Sequence, residues 1–162
     1  MADKFVVVGM ADLKVVKAPL ALTTIGLGSC VGIALYEPSS QIAGLAHIML
    51  PESTIIQASV NPAKFADAAI HKLVADMVRM GAKPGNIKAK IAGGAQMFNF
   101  DATNENLRVG DRNVESTKRV LQAERIPLLG EETGGTFGRT VEFYAEDGRV
   151  VIKAIGQENR IL

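Results

Sequence analysis

The sequence contains little of the chemistry that binds metals or forms cross-links. Its 162 residues include one cysteine, Cys30, two histidines, His47 and His71, and no tryptophan. One cysteine cannot form an internal disulfide, and one cysteine with two histidines is a small ligand set for zinc. We therefore expect neither a disulfide framework nor a metal site.

The chain also lacks an excess of either charge. Lysine and arginine together number 18, aspartate and glutamate 17, and no long stretch carries one sign. This composition argues against the broad basic surface with which proteins bind nucleic acid or anionic lipid. We expect a neutral protein partner or a small substrate, and no nucleic acid.

Long hydrophobic runs are absent from the beginning of the chain. The segment MADKFVVVGMADLK has one short apolar run and none of the flanking pattern of a signal peptide or membrane span. We expect a cytoplasmic protein that is not embedded in the membrane. Because 48% of its residues are hydrophobic, the chain can build one sizeable core, and we expect a single domain over 1–162.

Strand and helix patterns are both present. Runs of β-branched residues predict strands in the first third, a hairpin of 31–36 and 41–50 around EPSS, a strand in NIKAKIAGG, and a second hairpin around Asp147 and Gly148. Asn61 and Pro62 predict the start of a helix that ends at Gly81, and a second helix is predicted at about 111–124. The predicted fold class is a layered α+β fold.

The apolar stripe of the first predicted helix indicates that it covers a sheet. The residues of this stripe are Phe65, Ala69, Leu73, Met77 and Met80. His71 lies away from the stripe, so we expect it to be a solvated surface residue.

Cys30 lies in GLGSC, and a thiol is a useful nucleophile only beside a base. If EPSS is the hairpin loop, Tyr36 pairs with Gln41 and Cys30 is directly opposite His47 on one face, with Cβ atoms about 5 Å apart. The alternative is a packed cysteine and a hydrogen-bonded core histidine. A one-residue slip would place the two side chains on opposite faces.

The glycines beside Cys30 permit a close approach of the backbone to a substrate. With Gly26 and Gly28 in the loop, the amides around Ser29 and Cys30 are candidate oxyanion donors, although an ordinary turn explains the glycines equally well. Nucleotide-binding motifs do not fit, because position 31 is valine and no lysine stands at the phosphate-loop position.

Five segments between Phe5 and about Ile155 form a recognisable series: GLGSCVGIALYEP, AGLAHIMLP, KIAGGAQMF, GDRNVE and ETGGTFGRTVEF. In content, order and spacing they resemble the CheD family, the chemoreceptor glutamine deamidases of bacterial and archaeal chemotaxis. The resemblance implies a three-layered α/β/β sandwich and a Cys-His-Thr triad with Cys30 as nucleophile and His47 as base. By the same resemblance the third member of the triad is Thr24. The residues alone do not favour Thr24 over Thr23.

The resemblance also implies a reaction and its partners. Glutamine side chains in the cytoplasmic helices of chemoreceptors are hydrolysed to glutamate through a thioester, with no cofactor, and a CheC-type phosphatase of CheY competes for the enzyme. Met97 and Phe98 are candidate substrate or partner contacts, with a core role as the alternative. We further expect a Cys30 thiolate that persists below the ordinary pKa of about 8.5.

Two other functions remain open from the sequence. One is a binding module that mainly stimulates a CheC-type phosphatase, with deamidation secondary. The other is a thiol hydrolase that uses Cys30 and His47 on a different amide or ester.

Overall fold

The computed structural model describes residues 4–53, 60–96 and 109–162. Ten strands and two α-helices are assigned in these segments. The strands are β1 Phe5–Val7, β2 Leu13–Lys17, β3 Ala21–Leu27, β4 Val31–Glu37, β5 Ile42–Ile48, β6 Lys88–Gly93, β7 Leu128–Thr133, β8 Arg139–Tyr144, β9 Val150–Lys153 and β10 Arg160–Ile161; the helices are α1 Ala66–Arg79 and α2 Val109–Ala123.

The strands form two five-stranded sheets. The first has the order β1-β3-β8-β9-β10, and the second has the order β2-β5-β4-β6-β7. Both sheets are mixed, because β1 runs parallel to β3 and β6 runs parallel to β7, whereas the other neighbours are antiparallel.

Two hydrophobic cores hold three layers together. One core lies between the two sheets and includes Leu22, Leu45 and Phe143. The other lies between the second sheet and the helices and includes Ile33 and Leu73. β4 and β5 are buried on both faces because they contribute to both cores. This α/β/β arrangement confirms the predicted fold class.

The hairpin of β4 and β5 has a different register from the predicted one. Glu37 pairs with Ile42, so the loop is 38–41 and His47 lies opposite Gly32 rather than Cys30. Gln41 adopts a left-handed φ of 52° and donates its N–H to the Pro38 carbonyl at 3.3 Å. The predicted Tyr36–Gln41 pair is therefore wrong, because the strand continues for one more residue.

The carboxylate of Glu37 explains why the strand continues. Glu37 is fully buried and accepts hydrogen bonds from the Ser39 N–H and hydroxyl, the Ser40 hydroxyl and the Lys83 N–H. Burial alone would raise the pKa of this carboxyl, but the hydrogen bonds from Ser40, Ser39 and Lys83 lower it to about 2. The side chain thus fixes the turn to the loop that follows α1.

The helices lie close to their predicted positions, but α1 begins later. Asn61 caps a 3-10 turn, Pro62–Lys64, by accepting from the Ala63 N–H at 3.1 Å. Phe65 is extended and buried, and α1 starts at Ala66. A start directly after Asn61 is wrong because the Lys64 carbonyl pairs with the chain that follows β5.

The apolar stripe of α1 is buried against the second sheet, as the sequence predicts, except at its end. Met80 is 38% exposed because it is the C-cap residue of the helix. Within the described segments, no helix is both long and apolar enough to cross a bilayer.

Candidate active site

Cys30, His47 and Thr24 all face the layer between the two sheets. Along β5, Ala43 and Leu45 belong to this core, and strand alternation places His47 on the same face. Cys30 belongs to the same core just before β4 begins. The observed pairing of β4 and β5 differs from the predicted one by two residues, and side chains two residues apart on a strand point to the same face. The Cys30 thiol and the His47 imidazole therefore lie on the same face of the sheet, as diagonal neighbours rather than as a direct pair.

Thr24 approaches His47 from the other sheet. Its hydroxyl oxygen lies 2.7 Å from His47 Nδ1 and also 2.7 Å from the Val8 carbonyl oxygen. The carbonyl can only accept, so the single hydroxyl hydrogen is donated to Val8. The hydroxyl must then accept from His47 Nδ1–H. This arrangement fixes the imidazole as the tautomer with an unprotonated Nε2.

The Nε2 atom of His47 is buried and has no hydrogen-bond partner in the part of the chain that the structure describes. Burial also lowers the pKa of His47, so the ring is neutral near pH 7. An unprotonated, unpartnered nitrogen in the same layer as a thiol is available to accept a proton.

The expected low-pKa thiolate does not agree with the burial of Cys30. Burial raises the pKa of the thiol, and the residue's own backbone N–H opposes that rise. With burial also lowering the pKa of His47, the resting pair is a neutral thiol and a neutral imidazole. The thiol therefore needs a base during attack rather than a preformed thiolate.

The loop of residues 28–30, which we call the nucleophile loop, is held through all three of its carbonyl groups. The Gly28 carbonyl accepts from Ala95 N–H and the Cys30 carbonyl accepts from Gly94 N–H, both at 2.8 Å. The Ser29 carbonyl accepts from the side-chain amide of Asn113 at 2.9 Å. The loop is thus fixed from the end of β6 and from α2.

Gly93 permits the close approach between β6 and the nucleophile loop. Its φ is +104°, and a Cβ atom added here would lie 2.3 Å from the Cys30 carbonyl oxygen. Any side chain at this position would displace the loop, so the first glycine of the AGG segment has a steric role.

A buried arginine ties the glycine-rich segment before β8 to the same region. Arg139 is 3% exposed and donates to the Gly134 carbonyl at 2.6 Å and to the Gly93 carbonyl at 3.4 Å. Its guanidinium also lies 3.5 Å from the Glu132 carboxylate. The charge is therefore compensated while it fixes the backbone next to the nucleophile loop.

The other residues that the sequence singles out have different outcomes. Met97 and Phe98 lie outside the described residues. His71 is exposed on α1, where its Nδ1 lies 3.0 Å from a Glu124 carboxylate oxygen. Sequence reasoning gave no role to Asn113 or Arg139, although both lie in segments that carry the family resemblance.

Comparison with known proteins identifies the family. A family model described as CheD chemotactic sensory transduction matches residues 49–154. The chain belongs to the CheD family. The membership expected from the sequence segments is thereby confirmed.

Relatives in the CheD family align over nearly the whole chain. A probable chemoreceptor glutamine deamidase CheD of Caldanaerobacter subterraneus subsp. tengcongensis is 53% identical over 156 residues, 96% of each chain. A protein of the same name from Lachnoclostridium phytofermentans is 51% identical over 94% of this chain and 95% of its own. The chemoreceptor glutamine deamidase CheD of Halalkalibacterium halodurans is 48% identical over 93% of each.

Among solved structures, the hypothetical protein YfiH of Bacillus licheniformis is similar to this CheD chain. Its sequence identity is 17% and its TM-score is 0.47, over 75% of this chain and 50% of that one. This similarity is too low to support a conclusion about function.

Proposed function

We propose that this chain is a chemoreceptor glutamine deamidase that hydrolyses the side-chain amides of glutamines in the cytoplasmic helices of chemotaxis receptors. The relatives that align over most of its length carry this name. The observation that carries the proposal is the Thr24–His47 hydrogen bond, which leaves Nε2 unprotonated in the layer that contains the chain's only thiol. The products are glutamate and ammonia.

In the first half of the reaction, Cys30 attacks the glutamine amide. His47 Nε2 takes the thiol proton as the sulfur forms a bond to the amide carbon, and the amide oxygen becomes an oxyanion. Collapse of this intermediate breaks the C–N bond, and His47 returns the proton to the leaving nitrogen. Ammonia departs and a thioester joins Cys30 to the receptor side chain.

In the second half, water replaces ammonia. His47 Nε2 removes a proton from the water as its oxygen attacks the thioester carbon, and a second oxyanion forms. Its collapse breaks the C–S bond and the proton returns to the sulfur. The free thiol is regenerated, so no cofactor enters the balance.

Thr24 acts on this cycle through His47. When the imidazole becomes protonated, the Thr24 oxygen still accepts from Nδ1–H, so the ring keeps its orientation through both halves. The neutral hydroxyl stabilises the imidazolium less than a carboxylate would, which agrees with a resting pair that is uncharged.

Competition by a CheC-type phosphatase is a second part of the proposal and rests on the family resemblance. If such a partner presents a helix that mimics the receptor, it occupies the opening to Cys30, and receptor deamidation is inhibited competitively. Noncompetitive inhibition would place the partner on another surface.

A panel of receptor cytoplasmic fragments read by mass spectrometry tests the proposal. The wild-type chain should add about 1 Da at each modified glutamine by amide-to-acid exchange, through the Cys–His reaction. Cys30→Ala and His47→Ala should add none, whereas His71→Ala, which changes the exposed histidine, should match wild type. Unmodified glutamines with a folded wild-type chain would contradict the proposal and favour a binding module or another amide or ester substrate.

A further inference from the structure

A buried asparagine on α2 reaches the backbone on both sides of the candidate catalytic pair. Asn113 is completely buried, and its amide Nδ2 donates to the Ser29 carbonyl at 2.9 Å and to the Met49 carbonyl at 3.0 Å. Ser29 directly precedes Cys30, and Met49 follows His47 by two residues.

We propose that Asn113 is a positioning residue that orients the Ser29–Cys30 peptide so that the Cys30 N–H donates to the oxyanion of the deamidation reaction. This inference rests on the proposed function and adds a residue to it. It does not place Asn113 in contact with substrate.

The orientation of the Asn113 amide follows from its partners. Both contacts are carbonyl oxygens, which can only accept, so the NH2 group faces them and uses both of its hydrogens. Among the described residues the buried Oδ1 atom has no hydrogen-bond partner. A buried acceptor without a partner is unfavourable, so fold stability alone gives this side chain a weak reason to be polar.

The orientation of the Cys30 N–H follows from peptide geometry. The Ser29 carbonyl and the Cys30 N–H belong to one planar trans unit and point in opposite directions. Since Asn113 binds the carbonyl, the N–H points away from α2. Within the part of the chain that the structure describes, the Cys30 N–H donates to no backbone carbonyl, so a donor of the same residue as the sulfur is available to an oxygen that forms beside it.

Asn113 also supplies hydrogen bonds at the point where the backbone pairing of β4 with β5 ends. The last residue pair of β4 and β5 is Val31 with Ile48, and Cys30 and Met49 lie just beyond it. By bridging the Ser29 and Met49 carbonyls, one side chain fixes the nucleophile's peptide relative to the strand that carries His47. An oxyanion donor must be held in this way before the charge develops.

A neighbouring residue on the same helix provides a matched control. Ser116 is also buried, lies three residues further along α2, and donates its hydroxyl to the Pro51 carbonyl at 3.0 Å. Ser116→Ala therefore removes a helix-to-backbone hydrogen bond without touching the nucleophile loop. A loss of general helix docking should affect Ser116→Ala and Asn113→Ala alike.

The test compares two reactions of Cys30 in wild type, Asn113→Ala and Ser116→Ala. In receptor-fragment deamidation, the kcat of Asn113→Ala should fall about 100-fold, which is the smaller of the effects seen when an oxyanion donor is removed. KM should be nearly unchanged. Alkylation of Cys30 by iodoacetamide forms no oxyanion, so its limiting rate at high pH should stay within about threefold of wild type. Ser116→Ala should keep both rates.

Three outcomes would overturn the inference. They are an Asn113→Ala kcat equal to that of Ser116→Ala, equal losses of deamidation and alkylation in a well-folded Asn113→Ala chain, and a loss of alkylation with kcat retained. If wild type itself fails to deamidate any receptor fragment, the proposed function fails instead, and the two failures are thus distinguished.

A measurement on the wild-type chain remains decisive if Asn113→Ala does not fold. Cys30 can add to the carbonyl carbon of a peptide whose glutamine-like side chain ends in an aldehyde. The product is a thiohemiacetal, and its oxygen occupies the oxyanion position. The Cys30 amide proton should move downfield in the NMR spectrum, and iodoacetamide-treated protein should not show this shift. Equal shifts in both samples would overturn the inference.

Discussion

Thr24→Val removes the hydroxyl that fixes the His47 tautomer while keeping the branched shape of the side chain. In the native site this hydroxyl donates to the Val8 carbonyl and accepts from His47 Nδ1–H, each over 2.7 Å. The substitution leaves both groups buried without a partner. The imidazole can then place its proton on Nε2, where it no longer accepts from the thiol.

The size of the effect follows from the single hydrogen bond to His47. A buried neutral hydrogen bond whose partner is left unsatisfied is worth about 1–3 kcal/mol, which corresponds to a fall of about 5- to 150-fold in kcat. KM for the receptor fragment should change little, because Thr24 contacts histidine rather than substrate. The assay is the initial rate of deamidation, measured by mass spectrometry at several fragment concentrations.

The neighbouring threonine is the control. Thr23 donates its hydroxyl to the Val141 carbonyl at 2.8 Å and has no contact with His47, so Thr23→Val should retain most of the activity. Thr24→Ser keeps the hydroxyl and should recover most of the lost rate. Equal rates for Thr23→Val and Thr24→Val would exclude Thr24 as the residue that fixes the His47 tautomer.

Three further predictions concern the loop, the turn and the thiol. Gly93→Ala should lower the free energy of unfolding in urea by about 3 kcal/mol and slow deamidation, because the added Cβ meets the Cys30 carbonyl. Gly134 also has a positive φ but lies in open space, so Gly134→Ala should lower the free energy of unfolding by only about 1 kcal/mol. Hydrogen bonds hold the Glu37 pKa at about 2 despite burial, so the ionised carboxylate stabilises the fold above pH 4.5 and this stability should be lost as the pH falls towards 2. In Glu37→Gln the free energy of unfolding should no longer fall over this pH range. Because burial raises the pKa of Cys30, alkylation should be slow near neutral pH and rise above pH 9; a plateau reached near neutral pH would restore the thiolate interpretation.

The layers of the fold and the family could be predicted from the sequence because their signals are local or repeated. The strand-forming runs of β4 and β5 and the apolar stripe of α1 indicate a layered α+β fold, and the motif segments indicate the family and, through it, the α/β/β arrangement. β7 was not predicted, since Leu128–Thr133 pairs in parallel with β6 through a crossover and its residues alternate weakly.

The hairpin register could not be predicted because it depends on a buried carboxylate. The EPSS segment indicates a turn, but the position of Glu37 inside the strand depends on its hydrogen bond from the Lys83 N–H, 46 residues away. The error preserved the shared face of Cys30 and His47 only because the pairing shifted by an even number.

The places of Thr24 and Asn113 in the candidate site depend on contacts between layers. Thr24 is selected over Thr23 because it faces the space between the sheets, where β3 meets β5. Asn113 reaches the nucleophile loop from a helix 84 residues away in sequence. Neither contact has a local pattern, so a sequence can indicate the residues only through family resemblance.

The tautomer of His47, on which proton transfer from Cys30 depends, can be measured directly. Nitrogen-15 NMR of the imidazole ring at pH 8, where His47 is neutral, separates the protonated from the unprotonated nitrogen. We expect a proton on Nδ1 and none on Nε2 in wild type, with a mixture of tautomers in Thr24→Val. A proton on Nε2 in the wild-type protein would contradict the role of His47 as the base.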